Sequence, residues 1–367
     1  MATCNYCGKE SPLIGESLSL CGACVKRKDK AFDKVSRVRA ASREKIGLPG
    51  RPPREAGAPR CSVCVNECQI GPGEKGYCGL RTSQGGRLVN LAGTKEKGVV
   101  SWYHDPLPTN CVADWVCPAG TGAGYPEYAY DPRVEKGYDN LAVFLGACSF
   151  DCLYCQNHQY RHMAAGLSPL RTCRELARAV KKNTSCICFF GGDPSPQLPF
   201  TIKASRLALE KNPGRILRIC WETNGTMHPT LLKRICSLAL ETGGCIKFDL
   251  KAWQENLHQA LTGVTNQRTL NNFQLAASYL GEREDPPFLV ASTLLVPGYV
   301  EKEEVGALAR FIARFSPHIP YSLLAFYPCH LLYDLPTTSR RQAEECREAA
   351  LEAGLTRVRL GNVHLLS

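Results

Sequence analysis

Six apolar runs, separated by helical patterns, constrain the fold of this 367-residue chain more than any other feature. Residues 141–145, 186–190, 216–221, 245–250, 288–296 and 321–326 are short, bounded and almost free of polar alternation. That is the pattern of strands buried on both faces of a parallel sheet. Between them, residues 172–182 open with a capping box, Thr172 followed three residues later by Glu175. Residues 228–240 place Leu231, Leu232, Ile235 and Leu238 on one helical face, and 266–280, 302–315 and 339–353 continue the alternation. Six strand–helix units imply an α/β fold: a partial or complete parallel (β/α) barrel over residues 141–367, with its chemistry at the C-terminal ends of the strands.

The chemistry-bearing residues do follow those runs. After the first come Cys148, Cys152 and Cys155, spaced C-x3-C-x2-C. Three thiolates on one loop are one ligand short of filling a [4Fe–4S] cluster, which leaves one iron open to a substrate or cofactor. After the second run come Gly191, Gly192, Asp193 and Pro194. Here glycines permit close backbone approach and a carboxylate can face a cation. Glu222, Thr223 and Asn224 follow the third run, and Asp249 and Lys251 end the fourth. A lone Gly-Gly-Asp-Pro is ordinarily a turn, and a lone Asp-Leu-Lys is ordinarily surface. Their convergence on one barrel rim with a three-thiolate loop is not explained that way.

The N-terminal part divides into three. Residues 1–25 carry Cys4-x2-Cys7 and Cys21-x2-Cys24, a zinc-ribbon-like pattern, since tetrahedral zinc takes four thiolates and each knuckle supplies two. Residues 26–60 hold twelve Lys and Arg against four Asp and Glu, and so carry eight of the formal net charge of +11. This stretch reads as a basic linker whose first half can form a polar helix. It is either a solvated tether or a contact for RNA phosphates. Residues 61–140 begin with a second quartet, Cys61, Cys64, Cys68 and Cys78, read as a compact metal-binding knuckle, followed by a short β element near 86–91. Zinc and a second iron–sulfur cluster both accept four thiolates, so spacing alone does not separate them in either quartet. Cys111 and Cys117 can be ligands, a redox pair or inert thiols. Of the 21 cysteines, Cys186, Cys188, Cys220, Cys236 and Cys245 read as small core residues, as do Cys173, Cys329 and Cys346. His158 is the histidine best placed to matter, beside the triad. With no export signal and no apolar run near the length of a membrane span, the expectation is a soluble cytoplasmic protein with metal-bound rather than disulfide-bonded cysteines.

The C-x3-C-x2-C loop with Tyr154 before its last cysteine, together with Gly191-Gly192-Asp193-Pro194, resembles the radical SAM superfamily. Glu222-Thr223-Asn224-Gly225 and Asp249-Leu250-Lys251 resemble the matching elements of glycyl-radical-enzyme activating enzymes, such as the pyruvate formate-lyase activator. The second quartet leading into Cys78-Gly79-Leu80-Arg81, the Cys155-Gln156-Asn157 element, Phe326-Tyr327-Pro328 and Gly361-Asn362-Val363 are most similar to the AmmeMemoRadiSam-system radical SAM enzymes. This resemblance spans about residues 61–367. It implies a [4Fe–4S] cluster on the triad and S-adenosylmethionine (SAM) on the open iron. The cradle for SAM would be Tyr154, Gly191, Gly192, Asp193, Glu222, Thr223, Asn224, Asp249 and Lys251, with Lys251 toward the SAM carboxylate. Two departures stand out: Asp193 replaces the family's Glu, and Ser322 stands where activators carry a His on a late strand.

The activity implied is reductive cleavage of SAM to a 5′-deoxyadenosyl radical that abstracts hydrogen from a protein or peptide, fed by a one-electron donor such as flavodoxin or ferredoxin. Two other readings compete with it: radical modification of tRNA or rRNA docked by the ribbon and basic linker, and a non-catalytic iron–sulfur or zinc scaffold.

Overall fold

A nine-stranded sheet organises the computed structural model, which describes residues 1–27 and 32–367. In chain order its strands are β1 (Lys97–Pro106), β2 (Asp139–Leu145), β3 (Leu170–Thr172), β4 (Thr184–Gly191), β5 (Arg218–Thr223), β6 (Ile246–Asp249), β7 (Leu289–Leu295), β8 (Tyr321–Ala325) and β9 (Val358–Gly361). Their order across the sheet is β9-β8-β7-β6-β5-β4-β2-β1-β3. From β2 to β9 every pairing is parallel, whereas β1 pairs antiparallel with β2 and β3 antiparallel with β1. The sheet is open, a partial barrel with edges at β9 and β3.

All six expected strands are present. The sheet also begins earlier than residue 141, because β1 joins it from within the region read as a separate Cys-rich segment. The sequence pattern of β1 hid this: Val99 and Val100 are buried, but Lys97, Ser101 and Asp105 leave one face polar, as suits a strand near an edge. Helices cover one face of the sheet. Phe189, Trp221 and Phe248 point into that layer, in one buried core with Leu232 and Ile235 of the helix Pro229–Thr242. The capping box is formed, with Thr172 Oγ1 accepting from the Glu175 backbone N–H and the Glu175 carboxylate accepting from the Thr172 N–H. On the other face, Cys220, Cys245 and Val290 pack against Cys111, Ala113, Trp115, Val116 and Cys117. The connection from β1 to β2 therefore fills part of the barrel's interior.

The basic stretch is not a solvated tether. Its helix Phe32–Glu44 docks behind the triad loop, and both Arg39 and Arg43 are buried. Arg39 donates to the carbonyls of Asp151 (3.0 Å) and Ala260 (2.6 Å). Arg43 donates to Pro49 O (2.7 Å) and lies 3.7 Å above the Tyr77 ring. Backbone carbonyls hold Arg39 and the buried Asp151 carboxylate, 3.8 Å from Arg43 Nη1, draws Arg43 in; no local pattern in the linker reveals either. Residues 28–31, including Lys28 and Lys30 of the basic run, lie outside the described residues. Among the described residues no helix is long and apolar enough to cross a membrane.

Candidate active site

A cavity of about 300 Å³ opens at the C-terminal ends of the parallel strands. All twelve residues proposed from sequence for the cluster and the SAM cradle line it: Cys148, Cys152, Tyr154 and Cys155 from the loop after β2, Gly191, Gly192 and Asp193 after β4, Glu222, Thr223 and Asn224 at β5, and Asp249 and Lys251 after β6. Cys148 is buried, while Cys152 and Cys155 are half-buried. Burial pushes all three thiols up, Cys152 to about 11 even with the Lys251 ammonium working against that rise. A metal that displaces their protons would relieve this.

The two glycines answer to close packing. Gly191 has φ 104°, and a Cβ there would lie 2.8 Å from the Leu145 nitrogen. A Cβ on Gly192 would lie 2.3 Å from the Ala147 carbonyl oxygen. The Gly192 and Asp193 N–H groups donate to Leu145 O (2.9 Å) and Ala147 O (2.7 Å), which fixes the triad loop against the end of β4. The Asp193 carboxylate is spent inside the protein. Its Oδ1 accepts from Thr223 Oγ1 (2.9 Å) and the Asn224 N–H (2.8 Å), and its Oδ2 from the Ser195 N–H (2.7 Å). Burial nonetheless lifts its pKa to about 6. Asp193 thus ties β4 to β5 rather than projecting a free carboxylate. Asn224 in turn donates to Ser149 Oγ (2.9 Å) and lies 3.7 Å from Cys148 Sγ.

On the open side, Lys251 Nζ lies 2.7 Å from Asp249 Oδ2, and Asp249 Oδ1 accepts from Ser292 Oγ at 2.7 Å. Burial opposes the Lys251 charge, but Asp249 outweighs it and the pKa moves up. The Tyr154 hydroxyl is buried and has no partner. An anchored lysine, an orphaned hydroxyl and three thiols on one cavity fit a cluster with an amino-acid-bearing cofactor. His158 stacks on His330 with ring centroids 5.2 Å apart, and its Nδ1 lies 3.1 Å from Cys155 O.

The structure adds residues the sequence reading passed over. Lys247, in the middle of β6, is buried with its Nζ 2.9 Å from Glu222 Oε1, 3.0 Å from Cys188 Sγ and 3.1 Å from Cys111 Sγ. Glu222 is therefore the half-buried partner of a buried lysine. A lysine inside an apolar run was the available signal, because lysine is seldom fully buried without a partner. Asn110, Cys111 and Trp115 line the cavity from the β1–β2 connection, facing Arg359 of β9. Ser322 belongs to this wall, donating to Val112 O (2.7 Å) and accepting from Trp115 Nε1 (3.1 Å).

Cys4, Cys7, Cys21 and Cys24 bring their sulfurs within 4.8 Å of one another, with Cys4 and Cys24 buried and Cys7 exposed. This module is seated on the barrel: the Gly15 N–H donates to Tyr299 Oη (3.0 Å), which donates to Leu20 O (2.9 Å). Cys61, Cys64, Cys68 and Cys78 line a small separate cavity.

Residues 143–312 match the Radical SAM superfamily. An uncharacterized protein of Methanocaldococcus jannaschii is 24% identical over 309 residues, covering 83% of this chain and 81% of its own length. The isethionate sulfite-lyase activating enzyme of Desulfovibrio desulfuricans is 31% identical over 140 residues, 37% of this chain and 40% of the relative. Among solved structures, a domain of pyruvate-formate lyase-activating enzyme from Bacteroides vulgatus aligns with TM-score 0.38 and 20% identity, over 48% of this chain and 98% of that one. A putative glycyl-radical enzyme activating enzyme of Methanocaldococcus jannaschii is 26% identical over 192 residues, 51% of this chain and 68% of the relative.

Proposed function

We propose that this chain is an activating-enzyme-like radical SAM enzyme that abstracts a hydrogen atom from a protein or peptide. The observation carrying this reading is the convergence of residues after four successive parallel strands, β2, β4, β5 and β6, on one cavity with three cysteines outside any disulfide. When bound, the cluster and SAM supply one-electron cleavage of the sulfonium and a 5′-deoxyadenosyl radical. In this reading Cys148, Cys152 and Cys155 hold the cluster. Lys251, oriented by Asp249, takes the SAM carboxylate as a charge-assisted hydrogen bond. The Gly191–Gly192 backbone and Asn224 position the amino end, and Asp193 holds those two segments together. Glu222 is held by Lys247 at the cavity wall. The Cys111–Trp115 segment and Arg359 face the space left for the substrate.

Anaerobic reconstitution with iron and sulfide, then SAM and a strong one-electron reductant, tests this. The wild-type chain should release 5′-deoxyadenosine, and Cys152→Ala should release no more than a no-enzyme control. Equal release from both, or none from the fully loaded wild type, overturns the reading. Deuterium appearing in 5′-deoxyadenosine from a deuterated protein fraction, and not from small metabolites, supports the substrate class.

A further inference from the structure

Strand β9 is one end of the sheet, and its outer edge has no strand to pair with. Val358–Gly361 pair in parallel with β8, Val358 opposite Tyr321 and Leu360 opposite Leu323. The Tyr321 N–H donates to Arg357 O at 2.9 Å. In a parallel ladder of that register, Arg357, Arg359 and Gly361 turn their peptide groups to β8. Val358 and Leu360 therefore each turn an N–H and a C=O outward. Such groups along a sheet edge are a template for another strand. The chain after β9 doubles back: Asn362 has φ 53°, the turn Val363–Leu365 packs against β8, and the Ser367 N–H donates to Thr338 O.

Alternation along the strand sorts its side chains. Val358 and Leu360 pack on the main core. Arg359, Gly361 and the following Asn362 line the cavity, and Arg357 and Arg359 lie over the Trp115 ring at 5.9 and 6.0 Å. The inner face of this edge thus runs into the cavity, and a strand laid beside β9 would turn every second side chain the same way. The opposite edge does not: β3 is three exposed residues, none of which lines the cavity. Charge narrows the choice of strand. Arg359 Nη1 is held 2.8 Å from Asp114 Oδ1, whereas the half-buried Arg357 has no carboxylate partner among the described residues. Two guanidiniums share one carboxylate, and an Asp or Glu on a neighbouring strand would complete the set. A four-residue edge with an inward charge resists chance pairing of sheets, and so favours a strand that also meets Arg357.

We infer that the substrate is held as an extended, acidic peptide segment added to the outer edge of β9, which leads one of its residues past Gly361 and Asn362 into the cavity. The inference rests on the protein-or-peptide reading above and names how such a substrate is bound.

A displayed library of random short peptides, selected on the anaerobically reconstituted full chain, tests this. Enriched peptides should be rich in Asp and Glu, and when bound they should slow amide hydrogen exchange in residues 357–361. Val358→Pro removes one outward N–H and leaves the ladder to β8 intact, because proline is tolerated at the first residue of an edge strand. It should weaken those peptides about tenfold or more, with exchange across the rest of the sheet unchanged. Arg357→Glu should turn the selection from acidic to basic peptides, and it decides the matter if Val358→Pro does not fold. No enrichment over a protein-free control, protection confined to another segment, or an acidic selection unchanged by Arg357→Glu overturns the inference. Peptide protection at β9 without 5′-deoxyadenosine would sink the proposed activity and leave this surface standing. Release of 5′-deoxyadenosine with peptides that bypass β9 would do the reverse.

Discussion

The triad loop has two sides built from opposite materials. Behind it, Asp151 is buried, with Arg43 Nη1 at 3.8 Å, Arg161 Nε at 3.4 Å and the Tyr160 hydroxyl at 3.2 Å from its Oδ1. In front, Lys251 and Asp249 form a pair whose side chains are 16% and 37% exposed. The rear charges reach no ligand, and their work is to hold the loop, with the N-terminal helix as one jaw of the clamp. The front charges hold little structure and face the cavity. Substitutions on the two sides should therefore separate stability from ligand affinity.

The largest effect is expected at the rear. Asp151→Asn keeps the shape but leaves Arg43 and Arg161 buried without their carboxylate. Removing one partner of a buried charge cluster costs about 3–5 kcal/mol. Urea denaturation of the iron-free chain should show that loss through a lower midpoint at constant slope. A midpoint shift below about 1 kcal/mol would mean the rear cluster is no clamp. Protein that does fold should retain its SAM affinity.

A second rear prediction concerns pH. His258 is buried, its ring 5.4 Å from Phe150 in an edge-on contact, with Nδ1 2.7 Å from Val264 O and Nε2 without a partner. Burial pulls its pKa down to about 4. The folded state therefore binds fewer protons than the unfolded state between about pH 6.5 and 4. The stability this histidine contributes is present in full above its unfolded pKa and is lost as pH falls through the folded one, an effect of up to about 3 kcal/mol. In His258→Asn, which keeps a donor for Val264 O, the decline between those pH values should be shallower than in wild type. Parallel declines would show that His258 is not the group titrating.

How much of this was legible in the sequence follows the same division. The front of the site was readable because its chemistry is carried by residue types, spaced locally, at the ends of apolar runs. Cys148, Cys152, Cys155, Gly191, Gly192, Asp249 and Lys251 all fall where strand–helix reasoning puts them. The rear was not readable. Arg39 and Arg43 sit in a charge run that reads as solvated, and their burial depends on Asp151, more than 100 positions away and itself placed by packing. Strand β3 was invisible for a different reason: Leu170–Thr172 is three residues long and exposed throughout, so it has no hydrophobic period to detect. Lys247 was visible but unused, a polar interruption of an apolar run that only its partners Glu222, Cys188 and Cys111 explain.

The smallest effect is expected in front, and it sharpens the contrast most. Lys251→Met removes the ammonium but keeps the aliphatic stem. Asp249 retains its bond from Ser292 and remains partly exposed, so water can replace the lost partner. Stability should change by less than about 1 kcal/mol. If Lys251 takes the SAM carboxylate, affinity for SAM should fall about tenfold, equivalent to about 1.4 kcal/mol. Anaerobic equilibrium dialysis of the reconstituted chain with labelled SAM reads this directly. Unchanged affinity would remove Lys251 from the cradle. A fall in stability as large as that of Asp151→Asn would mean that the front pair is structural too, and that the two sides of the loop are not divided as the geometry suggests.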